Sequence, residues 1–105
     1  MSNNNPSVRK KLWFGKYLDI STCHIMEADL KKLERDDSPI TSYPYEEGCW
    51  VYVDNNGETT LNGLLRLGFS RGFAEVYMAA VAAKSQWIKL DCDGWEYEQF
   101  KHYDW

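Results

Sequence analysis

No stretch of this sequence is apolar over anything near the roughly 20 residues a membrane helix needs, and its start, Met1 to Arg9, is too polar for a secretory signal. The expectation is a soluble, cytoplasmic protein with no membrane partner. Cysteine is scarce: Cys23, Cys49 and Cys92 are odd in number, widely spaced and without a CxxC pair. That pattern suggests neither a disulfide framework nor a structural zinc knuckle, and the three read as reduced thiols. Basic residues are in deficit, 12 Lys+Arg against 16 Asp+Glu for a net charge of −4. Charge alone therefore argues against coating duplex DNA or an anionic membrane. GxxxxGK[ST], GxGxxG and GxSxG are all missing, so neither a nucleotide-phosphate cradle nor an esterase elbow has its usual support. No internal repeat is visible.

What remains is a compact supply of core residues. At 105 residues, 44% hydrophobic and 15% aromatic against 27% charged, the chain suits one folded domain. Residues 1–11, which include the Asn/Ser/Pro-rich start MSNNNPSV, are expected to form a flexible tail, and residues 12–105 the domain.

Periodicity predicts the elements. YLDIST from Tyr17 to Thr22 suits a short strand, and Ile25, Met26, Leu30 and Leu33 then recur at helical spacing. Pro39 requires that helix to stop by Ser38. A turn-rich stretch around Pro39 and Pro44 precedes GCWVYV, Gly48 to Val53, a β-branched and aromatic strand closed by the turn DNNG. Glu58 to Phe69 reads as a loop with a short helical turn, weakened by Gly63 and Gly68. Ser70 caps a helix whose buried stripe is Phe73, Val76, Tyr77, Ala80 and Val81 or Ala83. WIKLD, Trp87 to Asp91, alternates as a strand, DCDG turns, and WEYEQF suits a partner or edge strand. The order implies an α+β fold: a small sheet of three to four strands with two helices packed on it.

Four groups of residues carry candidate chemistry. Asp91 and Asp93 flank the DCDG turn, where oxygens suit a hard cation but where Asp also accepts turn amides. His24 ends the first predicted strand; it makes a structural hydrogen bond or, if the two strands are parallel neighbours, joins Asp91 and Asp93 in a metal or acid–base site. Cys23 forms no dyad with it, because adjacent residues on a strand point to opposite faces. Arg9, Lys10, Lys11 and Lys16 surround Trp13 and Phe14, giving residues 1–16 a charge of +4 and the remainder −8. Such an arm could stack on single-stranded nucleic acid; the preferred reading has the two aromatics covering a core edge, so direct nucleic-acid binding is not expected. Finally, Asp91, Asp93, Glu96, Glu98 and Asp104 mix with Trp95, Tyr97, Phe100, Tyr103 and Trp105, as an acidic docking surface or as aromatics that close the core.

Five blocks together resemble a known family: STCHI at Ser21 to Ile25, YPYEEGCWVYV at Tyr43 to Val53, GFSRGFAEVYMAA at Gly68 to Ala80, WIKLDCDG at Trp87 to Gly94, and the final YDW. Over residues 17–105 the chain is similar to a domain-of-unknown-function family of small proteins carried on bacterial plasmids, prophages and integrative elements. The resemblance implies a mobile-element accessory protein and brings no catalytic residue or cofactor. By analogy of setting, the expected function is protein–protein binding, as an anti-defence (anti-CRISPR or anti-restriction) inhibitor of a host or element-encoded complex that handles nucleic acid. The expected contact residues are Tyr43, Tyr45, Glu46, Glu47, Trp95, Glu96, Glu98, Tyr103, Asp104 and Trp105. The alternative is a small metal-dependent enzyme or metal-binding protein using His24, Asp91 and Asp93.

Overall fold

The computed structural model describes residues 11, 12 and 14–105. Apart from the exposed Lys11, the expected tail lies outside the described residues, as does Trp13 of the basic arm. Phe14 is 81% exposed, so it does not cover a core edge. The fold is α+β, as the element pattern implied, with four strands and three α-helices among the described residues.

Strand β1 (Tyr17–Ser21) runs into a 3-10 turn (Thr22–His24), because the Ser21 hydroxyl accepts the Cys23 N–H at 3.1 Å and bends the chain out of the sheet. Helix α1 (Glu27–Glu34) begins where the Asp29 carboxylate reaches back to the Met26 N–H at 2.7 Å, and it ends before Pro39. Strand β2 (Ser42–Tyr45) replaces part of the expected turn-rich stretch. Pro44 is tolerated there because β2 is a sheet edge, where a missing N–H costs no ladder bond. A tight turn at Glu46 and Glu47 leads into β3 (Gly48–Tyr52).

Helix α2 (Leu61–Arg66) is more than the expected helical turn, since the Thr60 hydroxyl caps it by accepting the Gly63 N–H at 3.0 Å. Gly68, at φ +93°, reverses the chain into α3 (Arg71–Ala82), capped by Ser70 through the Phe73 N–H at 3.1 Å. Phe73, Val76, Tyr77 and Ala80 form its buried stripe; Val81 is half-buried and Ala83 exposed. β4 (Trp87–Asp91) completes the sheet in the order β1-β4-β3-β2, with β1 and β4 parallel and the other pairs antiparallel.

WEYEQF is not a strand. Its backbone groups bond to the last residue of β1 and to the turn after it without extending a ladder: Trp95 O accepts the Ser21 N–H at 2.8 Å and the Tyr97 N–H donates to His24 Nε2 at 2.9 Å. Residues 92–105 thus form a strap across the end of β1 and the start of α3.

All three helices lie on one face of the sheet. Ile20, Cys49, Val51, Ile88 and Leu90 point from the strands into the same core as Leu33, Leu64, Phe73 and Tyr77 from the helices. Among the described residues, no helix or strand covers the opposite face. No helix among the described residues is long and apolar enough to cross a membrane.

Candidate functional site

Alternation along the strands sends every second side chain to the uncovered face, and the register arranges these in rows. Tyr17, Trp87 and Tyr52 form the row at one end; Asp19, Lys89, Trp50 and Tyr43 the middle; Ser21, Asp91, Gly48 and Tyr45 the other end. The first two rows make an aromatic cluster. Tyr17 meets Trp50 edge-to-face with centroids 5.2 Å apart, Tyr52 meets Trp87 at 5.3 Å, and the Trp50 and Trp87 planes stand at 90°. A shallow cavity of about 400 Å³ lies among Tyr17, Tyr43, Trp50 and Trp87, with Gly15 and Lys16 at its edge. The Lys16 ammonium is turned away, donating to Ala83 O at 2.7 Å. Tyr43 is 57% exposed, and Tyr17 and Tyr52 are also open to solvent.

The third row is acidic. Glu46 and Glu47 are exposed at the β2–β3 turn, and Asp93 is exposed beside it. Asp91 Oδ1 accepts the Asp93 N–H at 2.8 Å, and Oδ2 accepts the Tyr45 hydroxyl at 2.7 Å. The Asp93 amide first, then the Tyr45 hydroxyl, hold the Asp91 carboxyl below its usual range. Desolvation first, followed by the Asp91 carboxylate, pushes the Tyr45 phenol well above its usual value. Tyr45 is therefore half-buried and engaged within the sheet, whereas Tyr43, Glu46 and Glu47 are free at the surface.

His24 sits elsewhere and does other work. It is buried, its Nδ1 lies 2.7 Å from Lys101 O and its Nε2 accepts the Tyr97 N–H. One ring nitrogen donates and the other accepts, the pattern of the Nδ1–H tautomer, so no lone pair is left for a metal or substrate. β1 and β4 are parallel neighbours, as the His24–Asp91–Asp93 site required, yet the chain leaves β1 in a 3-10 turn that directs His24 to the strap. The carboxylates of Asp91 and Asp93 converge instead with Cys92, without His24.

The acidic and aromatic C-terminal residues divide between fastening and display. Tyr97 donates its hydroxyl to Asp19 O at 2.7 Å and packs with Phe100 against the core, and the Tyr103 hydroxyl accepts the Gly72 N–H at 3.1 Å. Gly72 is required there, since a Cβ would stand 2.5 Å from the Tyr103 ring. Trp105 is half exposed while its indole N–H donates to Ile25 O at 2.9 Å. Trp95 is 70% exposed, and Glu98 and Asp104 are exposed.

Glu96 belongs to a second constellation that residue spacing did not suggest. Its Oε1 lies 3.2 Å from His102 Nε2, and donor atoms of Cys23, Glu96 and His102 all lie within 4.8 Å of one another. They line a cavity of about 460 Å³ with Cys92, Asp104 and Trp105 on its walls. None of the three cysteines is in a disulfide. Burial pushes the Cys49 thiol up; partial desolvation, then Asp93 and Asp91, do the same for Cys92.

Comparison with curated proteins and with solved structures finds no match. Residues 17–105, which hold every strand, helix and strap contact described above, match the C-terminal domain of a family of unknown function, DUF5983. The chain belongs to that family.

Proposed function

We propose that this protein is a non-enzymatic binding module that docks on a basic protein surface through the uncovered face of its sheet. The supporting observation is that face itself: five aromatic side chains on four adjacent strands, at the edge of a folded region that is strongly acidic. Tyr and Trp supply anchoring area at small entropic cost and are enriched among the residues that dominate protein interfaces. Residues 17–105 hold 8 basic and 16 acidic residues, a net charge of −8, which steers a cationic partner toward Glu46, Glu47 and Asp93. The contact surface centres on Tyr43, Tyr52, Trp50, Glu46 and Glu47, with Trp95, Glu98 and Asp104 toward the strap; Tyr97, Tyr103 and the indole N–H of Trp105 serve the fold.

The resemblance to mobile-element families supports a finer reading: an anti-defence inhibitor in the bacterial cytoplasm, occupying the basic nucleic-acid channel of a CRISPR effector or restriction complex. An acidic, aromatic surface fits such a channel in charge and in stacking chemistry. His24, Asp91 and Asp93 do not support the metal-enzyme alternative, because His24 is consumed by the strap.

Parallel affinity captures from a bacterial lysate test the docking face, using the native chain and a Tyr43→Ser/Tyr52→Ser variant whose unfolding midpoint is unchanged. The expected result is a stoichiometric partner with a basic surface, retained at moderate salt, released at high salt, and lost with the variant. A partner held equally by both proteins would refute the assignment.

A further inference from the structure

We propose that Cys23, Glu96 and His102 form a zinc-binding site, with zinc held by one thiolate, one carboxylate and one imidazole. The inference does not rest on the aromatic face of the sheet; Asp104 at the cavity wall is the one residue it shares with the proposed contact surface. Three observations carry it. Donor atoms of the three side chains already lie within 4.8 Å of one another. Bonds of about 2.0–2.3 Å in a tetrahedral site need donor atoms roughly 3.5 Å apart, so closing the set takes side-chain rotation in Glu96 and His102, both exposed. The His102–Glu96 contact that must yield is a solvent-exposed pair, which holds little free energy.

The backbone beneath the cluster is fixed by partly buried bonds. His24 follows Cys23 directly and grips the strap at two points, the Tyr97 N–H and Lys101 O, which adjoin Glu96 and His102. The Tyr103 N–H donates to Cys23 O at 2.7 Å, closing the strap from the other side of His102. One buried imidazole therefore positions all three ligands without being one, as outer-shell groups do in metal sites.

The chemistry of the set selects the ion. A thiolate with an imidazole suits a borderline-soft cation rather than calcium or magnesium, which take oxygen ligands. Three protein ligands beside a cavity of about 460 Å³ leave the fourth position to water or a small ligand. Cys92, at the cavity wall, belongs to the separate Asp91–Asp93 group, which makes that turn the competing location to test.

The test is a titration of the metal-free full chain with Co²⁺, whose thiolate charge-transfer absorption reports sulfur ligation, followed by displacement with Zn²⁺. The band is expected to saturate at one equivalent, to vanish in Cys23→Ser, and to need about tenfold more metal or higher in His102→Ala. Cys92→Ser and Asp93→Asn are expected to retain it. His102 is exposed, so its variant keeps the fold, checked by circular dichroism, and carries the test if Cys23→Ser does not fold. Absence of a saturable band in the native chain would overturn the proposal. So would a band that survives Cys23→Ser and is lost in Cys92→Ser.

Discussion

Asp91 shows how one carboxylate is set by its neighbours. Its folded pKa lies below the unfolded value because the Asp93 amide and the Tyr45 hydroxyl bond to the ionised form. The stabilisation this supplies is complete above the unfolded value, about 3.9, and is lost as pH falls through the lower folded value. Replacing Tyr45→Phe removes one donor, so the Asp91 titration is expected to move up and the loss of stability on acidification to become shallower. A carboxyl-carbon NMR titration of both proteins checks the first, and urea midpoints across the acid range the second; an unmoved Asp91 would show that the Asp93 amide alone sets it. At this scale the sequence was legible where the chemistry is local. Asp91 and its turn amide are neighbours in the chain. For His24 a structural hydrogen bond was legible but its partners were not, since Tyr97 and Lys101 arrive from far along the chain. The Cys23 cluster was hidden for the same reason: metal-site spacing rules read ligands close in sequence.

Between elements, Asp29 has a role its position did not disclose. In the sequence it is one charge among several on an amphipathic helix, yet it is buried at the start of α1. Its oxygens accept the Met26 N–H, the Ser70 N–H at 2.8 Å and the Ser70 hydroxyl at 2.5 Å. The same Ser70 hydroxyl caps α3, so a single carboxylate joins the N-termini of two helices. Asp29→Ala leaves those donors without their acceptor and is expected to cost roughly 3 kcal/mol, well above the ~1 kcal/mol of an ordinary cap. Urea unfolding followed by circular dichroism measures it, and a loss below about 1 kcal/mol would show that water replaces the carboxylate. Strong periodicity made β1, β3, β4 and α3 readable. β2 was obscured by Pro44, whose tolerance depends on being at an edge. WEYEQF carried strand-like composition, but its backbone groups bond to the last residue of β1 and the turn after it and build no ladder.

At the largest scale, the decisive feature is that, among the described residues, helices cover the sheet on one side only. Strand alternation was visible in the sequence, but which face would remain uncovered depends on where all three helices pack. The aromatic rows therefore became a surface only in three dimensions, whereas the acidic balance of the folded region was countable from the start. The sheet order has a further outcome for stability: β4 supplies both the parallel bond to β1 and the antiparallel bond to β3. A chain ended at residue 86 is expected to show no cooperative thermal transition, and a calorimetric peak from it would contradict that interdependence.

That order also bears on how the protein is made. β4 is central in the sheet yet last of the four strands to leave the ribosome, after β1, the helices and the β2–β3 hairpin. Until it emerges, β1 has no strand to pair with, and the apolar face of the hairpin lacks its neighbour. The four-stranded sheet can therefore close only after β4 has emerged. During that interval the nascent chain exposes unpaired strand edges, the surfaces on which a general chaperone acts.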